Sequence, residues 1–188
     1  RGAPDRDTAI ELGGEDAKLL YLSNGVELRM NEACAGGTGA FIDQMASLLD
    51  VDAAGLNKLA SEAQISHPMA SRCGVFAKTD LVALLNGGVP KSEVARSVLD
   101  AVAEQTVSGL ACGRPVRGEI AFLGGPLTFL SELRAAFERR LSSTGTTFAS
   151  FCDAHCAVAI GAALEGIDPA SRAHRSRVWH SIDDLVRE

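Results

Sequence analysis

One stretch, Asn31–Ala46 (NEACAGGTGAFIDQMA), limits what this chain can become. A cysteine, Cys34, is followed by Gly36, Gly37 and Gly39 around Thr38, and then by an apolar run with helical spacing. Such a segment is a flexible loop feeding a helix N-terminus. Bare glycines let backbone N–H groups approach a ligand, and the helix start favours negative charge. A thiolate on that turn is a good metal ligand or electron-site group. A second cysteine, Cys73, stands in a similar setting (SRCGVFAKTD), ahead of Gly74 and another helix-like run.

Around these loops the pattern alternates. Thr8–Leu12, Ala17–Leu22 and Val26–Met30 read as three strands joined by Gly13-Gly14-Glu15-Asp16 and by the hairpin signal Ser23-Asn24-Gly25. Helices are expected over Gly39–Leu49, Ala53–Ala63 with Asp52 as its cap, Lys78–Asn86, and from Pro90 or Ser92 to about Cys112. A buried strand Glu119–Leu123 ends in Gly124-Gly125-Pro126. Then come a helix Leu127–Leu141, a strand Thr146–Phe151 and a small-residue helix Ala154–Leu164. An antiparallel meander followed by alternating strands and helices gives a mixed sheet flanked by helices. Ligands bind such sheets at the carboxyl ends of strands, where Gly13-Gly14 and Gly124-Gly125 fall.

The bulk properties exclude several classes. A net charge of −6 and a pI near 5.2 argue against nucleic acid as partner. There is no apolar run of membrane length and no signal-peptide pattern. Five cysteines in a core-rich chain point to a reducing, cytoplasmic setting rather than to a disulfide framework.

Five segments, in order, resemble the ATP-dependent activator family of 2-hydroxyacyl-CoA dehydratases and benzoyl-CoA reductases, the BadF/BadG/BcrA/BcrD-type ATPases. IELGGEDAK (10–18) is similar to the family's phosphate turn D-I-G-G-Q-D-S-K. NEACAGGTGAF (31–41) resembles its N-x-x-C-A-A-G-T-G-x-F loop, and RCGVFAKTD (72–80) its second cysteine segment. FLGGPLTF (122–129) resembles the adenosine turn, and AIGAAL (159–164) the closing helix.

The resemblance implies an α/β fold, a ribonuclease-H-like half of the actin/Hsp70-type ATPase. Residues 8–166 would be the second such domain, with a loose N-terminus (1–7) and a polar tail or peripheral helix (167–188). The first half, with its D-x-G-S-T loop, would be absent, and the isolated piece would be inactive. Gly13, Gly14, Asp16 and Lys18 would meet the phosphates of ATP or ADP with Mg²⁺. Glu11 and Asp16 would be the catalytic carboxylates. Gly36, Gly37 and Thr38 would lie near the nucleotide, and Gly124 and Gly125 near the adenosine. Cys34 and Cys73 would ligate a 4Fe–4S cluster shared with a second copy or a paralogous subunit. The complete protein would pass an electron to a dehydratase or reductase partner.

The chain departs from the pattern at Glu11 (usually Asp), Glu15 (Gln), Ala17 (Ser), Gly37 (Ala), Pro126 (Val) and Thr128 (Asn). Plainer readings stand beside these expectations. The two cysteines could be structural thiols, the glycine pairs ordinary turns, and Asp16 with Lys18 a surface pair. The whole could instead be a sugar or amino-sugar kinase of the same superfamily, or a non-catalytic redox or scaffold domain. Asp43 reads as a charge complementing the helix dipole. Arg134, Arg139 and Arg140 read as a solvated face, Cys112 as core and His67 as a loop residue without a partner. Cys152, His155 and Cys156 read as a part-buried helix mouth rather than a metal site.

Overall fold

Strand β1 (Thr8–Leu12) is buried along its whole length, which places it at the centre of the sheet. β2 (Ala17–Tyr21) pairs with it antiparallel, setting Glu11 opposite Lys18, and β3 (Glu27–Met30) follows antiparallel at the edge. On the other side β4 (Glu119–Leu123) runs parallel to β1, and β5 (Thr147–Ala149) parallel to β4. The five-stranded mixed sheet has the order β3-β2-β1-β4-β5 and opens with the expected meander. The computed structural model describes residues 7–23, 25–31, 36–71, 73–142 and 145–167. Cys34 and the expected tail helix on Trp179, Ile182 and Leu185 lie outside these. No helix among the described residues is long and apolar enough to cross a membrane.

The helical layer is α1 (Gly39–Leu48), α2 (Ala53–Ser61), α3 (Gly74–Asn86), α4 (Lys91–Ala111), α5 (Gly125–Phe129) and α6 (Ser131–Leu141). Asp52 caps α2 as expected, its carboxylate accepting the Gly55 N–H at 2.7 Å. The spine is α4, which touches α1, α2, α3, α6 and the β2–β3 ribbon. Val94, Val98, Val102 and Val107 of its apolar stripe are all buried. Its end is held by β3: the Arg29 guanidinium donates to the carbonyls of Leu110 (3.2 Å) and Ala111 (2.6 Å), and the Ala111 carbonyl also accepts the Arg114 N–H (2.9 Å). Arg114 stacks 3.8 Å from the Tyr21 ring centroid. Cys112, expected in the core, is exposed instead, because it closes α4 in the left-handed region (φ 47°).

Two helices differ from expectation. α3 begins at Gly74, four residues before the expected start, with Cys73 as its N-cap. The early start was hidden because Val75 and Phe76 are exposed and break the apolar stripe. The expected single helix over Leu127–Leu141 is two, broken at Leu130, whose backbone is extended (ψ 95°). Side chains stabilise the break. Arg134 donates to the Leu127 carbonyl (3.0 Å), and Asn57 of α2 accepts the Glu132 N–H (2.8 Å) at the start of α6.

The arginines read as a solvated face are paired, Arg139 with Asp100 (2.6 Å) and Arg140 with Glu104, tying α6 to α4. His67 has a partner after all. Its Nε2 lies 2.8 Å from a Glu93 carboxylate oxygen, and its backbone N–H donates to Ser97 Oγ. Both partners sit on α4, some thirty residues away in sequence, beyond the reach of local patterns.

The chain divides after His155 into two units. In the first, Cys152 and His155 are exposed rather than part-buried, and the His155 ring lies 5.2 Å from that of Phe129. In the second, α7 (Ala157–Ile167) leaves Val158, Ile160 and Leu164 exposed.

The packing is testable at two points. Phe137 is fully buried, edge-on to Phe122, which in turn stacks on Phe148. Phe137→Ala should cost about 3–5 kcal/mol in urea unfolding, and Phe148→Ala, at the partly buried rim, clearly less. The Arg140 hydrogen bond lowers the Glu104 pKa below its ordinary 4.5, against the opposing effect of burial. The stability this contributes is therefore present above pH 4.5 and lost as pH falls through the depressed value. Thermal melts of Glu104→Gln should converge on those of the unaltered chain below that pH.

Candidate functional site

β1 and β4 are parallel neighbours, so their terminal glycine turns emerge at the same edge of the sheet. Gly124 adopts φ 89°, and a Cβ there would stand 1.9 Å from the Leu12 carbonyl oxygen, so only glycine lets the second turn lie against the end of β1. The first turn is closed by the Gly13 N–H donating to the Asp16 carbonyl (2.8 Å). The start of α1 then docks on it. The Gly39 N–H donates to the Gly13 carbonyl (3.0 Å) and the Ala40 N–H to the Gly14 carbonyl (2.6 Å). A Cβ on Gly39 would come within 3.2 Å of that backbone.

These three backbone segments border a cleft of about 430 Å³, lined among others by Gly14, Glu15, Ala40, Asp43, Pro126 and Phe129. Its size suits a small-molecule ligand.

The expected site residues divide into groups. Gly14 and Gly125 line the cleft, while Gly13 and Gly124 shape the turns behind them. Glu11, Asp16 and Lys18 form a charged cluster on the β1–β2 hairpin. Lys18 Nζ is 2.6 Å from Glu11 and 3.6 Å from Asp16. Glu11 is 7% exposed and faces the lysine, whereas the Asp16 side chain is open to solvent. Burial alone would lower the Lys18 pKa. The Glu11 hydrogen bond, with the charges of Glu11 and Asp16, outweighs this and raises it above the ordinary 10.5.

Gly37 and Thr38 are buried under α1 against α4, where Thr106 Oγ1 donates to the Gly37 carbonyl (3.3 Å). Gly36 adjoins the Gln105 amide. This loop is therefore the back wall of the α1 start and does not line the cleft. Cys73, half-buried, caps α3. Gly74 beside it packs against α1, where a Cβ would stand 3.2 Å from the Phe41 ring. Sequence reasoning missed Asp43 and Phe129 as lining residues. Asp43 lies beyond the first turn of α1, which holds no acidic residue, so it is poorly placed to complement the helix dipole.

A mixed sheet of this order, with a glycine hairpin and a second glycine turn at one edge, defines a ribonuclease-H-like half of the actin/Hsp70-type ATPase fold. The chain belongs to the BadF/BadG/BcrA/BcrD ATPase family, whose family model matches residues 1–166. It is 32% identical over 124 residues to the (R)-2-hydroxyglutaryl-CoA dehydratase activating ATPase of Acidaminococcus fermentans, covering 65% of this chain and 47% of that protein. It is 33% identical over 125 residues to the 2-hydroxyisocaproyl-CoA dehydratase activator of Clostridioides difficile, with the same coverage. Uncharacterized protein YjiL of Escherichia coli is 30% identical over 170 residues, 87% of this chain and 63% of that one.

Among solved structures, component A of the A. fermentans (R)-2-hydroxyglutaryl-CoA dehydratase superposes with a TM-score of 0.76 at 31% identity, over 86% of this chain and 61% of that one. The 2-hydroxyisocaproyl-CoA dehydratase activator of Clostridium difficile, solved with bound ADPNP, gives 0.78 at 28% identity, over 95% and 66%. The chain spans about half the length of the first two curated relatives.

The hairpin cluster can be probed through its lysine. Lys18→Met leaves the buried Glu11 carboxylate unpaired and should cost about 1–3 kcal/mol at pH 7. Because the folded pKa of Lys18 is raised, its stabilisation is complete below 10.5 and lost as pH climbs through the folded value. The gap between the two proteins in chemical denaturation should therefore be constant near neutrality and shrink above that pH.

Proposed function

We propose that this chain is the nucleotide- and cluster-binding part of an ATP-driven activator that supplies a low-potential electron to a CoA-ester dehydratase or reductase. The observation that carries this reading is the docking of α1 on the Gly13–Gly14 turn. One helix start touches the phosphate turn, and the loop entering that helix holds Cys34 two residues before Gly36. In this reading a change at the nucleotide reaches, through backbone contacts, the helix that the Cys34 segment precedes in sequence. The names of the relatives, two of them dehydratase activators and one solved with ADPNP, support the same reading.

In this reading Gly14 and Lys18 hold the β- and γ-phosphates with Mg²⁺, and Gly13, whose N–H is taken by the Asp16 carbonyl, shapes the turn beneath them. Asp16, the open carboxylate of the hairpin, orients the metal or its water. Glu11 fixes Lys18. The Gly124–Gly125 turn passes the adenosine.

The residues fit a cluster as well. Cys73 caps a thirteen-residue helix, whose positive end stabilises an anionic thiolate centre, and Val75 and Phe76 beside it are exposed. Among the described residues no group of three or more His, Cys, Asp or Glu could hold a metal. A cluster here would take Cys34 and Cys73 together with the same pair from a second copy, which the exposed apolar start of α3 can meet. When bound, a 4Fe–4S centre supplies one-electron chemistry at low potential.

Anaerobic iron–sulfur reconstitution tests the proposal. The chain should take up about two irons, half a shared cluster, with thiolate-to-iron charge-transfer absorbance and a dimer on gel filtration. Cys34→Ala and Cys73→Ala should each abolish all three. Iron uptake unchanged in both variants, or none in the unaltered chain, overturns it. Sugar-dependent ATP turnover without a cluster would favour a kinase.

A further inference from the structure

We propose that Asp43 accepts the ribose hydroxyls of the bound nucleotide and makes the cleft selective for ribonucleotides over deoxynucleotides. This rests on the nucleotide reading above. A helix start beside a phosphate turn is expected to bind phosphate with its free amides. Here the amides of Gly39 and Ala40 are already taken by the Gly13 and Gly14 carbonyls, and the Ile42 N–H donates to the Thr38 carbonyl. So α1 offers the ligand its flank rather than its end.

On that flank the polar side chain is Asp43, exposed, lining the cleft, and with no carboxylate hydrogen bond to another described residue. An ionised carboxylate only accepts hydrogen bonds and repels phosphate, so beside a nucleotide it favours a hydroxyl donor over a phosphate oxygen. Asp43 is four residues past Gly39, about 6 Å along the helix and on the same face. That carries it one step beyond the phosphate turn, where the sugar of a nucleotide follows its phosphates. A vicinal diol presents two O–H donors to two carboxylate oxygens. The remaining wall, Pro126, Phe129 and Leu130, is apolar and suits the base, with the exposed Phe129 ring available for stacking.

The test compares ADP with 2′,3′-dideoxy-ADP, each with Mg²⁺, by NMR shift titration of the chain and of Asp43→Asn and Asp43→Ala. Hydrogen bonds to a charged acceptor predict that the unaltered chain prefers ADP by about tenfold or more. Asp43→Ala should lose that preference entirely through weaker ADP binding, with dideoxy-ADP affinity unchanged. Asp43→Asn, which keeps a single carbonyl acceptor and the same shape, should fall between. Equal affinities of the unaltered chain for the two nucleotides, or a parallel loss of both in Asp43→Ala, overturns the assignment while leaving the nucleotide reading standing. No shift with ADP at millimolar concentration overturns the nucleotide reading itself, and Asp43's role with it.

Discussion

The contact on which the site depends is between two backbones. The carbonyls of Gly13 and Gly14 accept the first amides of α1. A helix start has amide donors without internal partners, and a tight turn has carbonyls without ladder partners. Each satisfies the other, so the turn and the helix cannot be displaced separately without stranding polar groups. The approach needs a residue without a side chain at Gly39, where even one carbon atom would crowd the turn. A side chain would wedge α1 away from the sheet edge and open the floor of the cleft.

From behind, the same helix start is held by α4. Thr38 is fully buried, and Thr106, midway along α4, shares its one hydroxyl proton between the Gly37 and Val102 carbonyls. Arg29 fixes the far end of α4 to β3. The Gly36–Thr38 loop therefore leads into a helix clamped between the Gly13–Gly14 hairpin in front and the longest described helix at its back. That arrangement suits a relay better than a hinge, because both contacts are to elements with extensive buried packing.

The legible parts of this structure are those specified by local chemistry. Strands β1 and β4 match their expected bounds, because a short apolar run closed by a glycine pair leaves few alternatives. The glycine turns were legible for the same reason. What escaped the sequence depends on partners distant along the chain. His67 meets Glu93, Arg134 folds back to cap α5, and Asn57 of α2 starts α6, splitting what reads as one helix. The early start of α3 escaped because its first turn shows apolar side chains to solvent. Asp43 escaped because a helical carboxylate reads the same whether it faces bulk water or a ligand cleft. Only the convergence of α1 with two turns remote in sequence distinguishes these.

The departures from the family pattern acquire a physical meaning in this geometry. A glutamate at position 11 is one methylene longer than the usual aspartate, and its carboxylate reaches across the hairpin to Lys18 at 2.6 Å. Together with Glu15 and Asp16 it sets three carboxylates against one ammonium around the Gly13–Gly14 turn. Side chains there cannot by themselves compensate an incoming polyphosphate. The charge of Lys18 is already offset by Glu11 and Asp16, and the first α1 amides are taken by the turn's own carbonyls. For the nucleotide proposed above, the compensating charge would arrive with the ligand, as a divalent cation on its phosphates that the open Asp16 or Glu15 carboxylate would accept. An acidic glycine turn is thus consistent with the proposed nucleotide binding, provided the species bound is the metal complex and not the free anion.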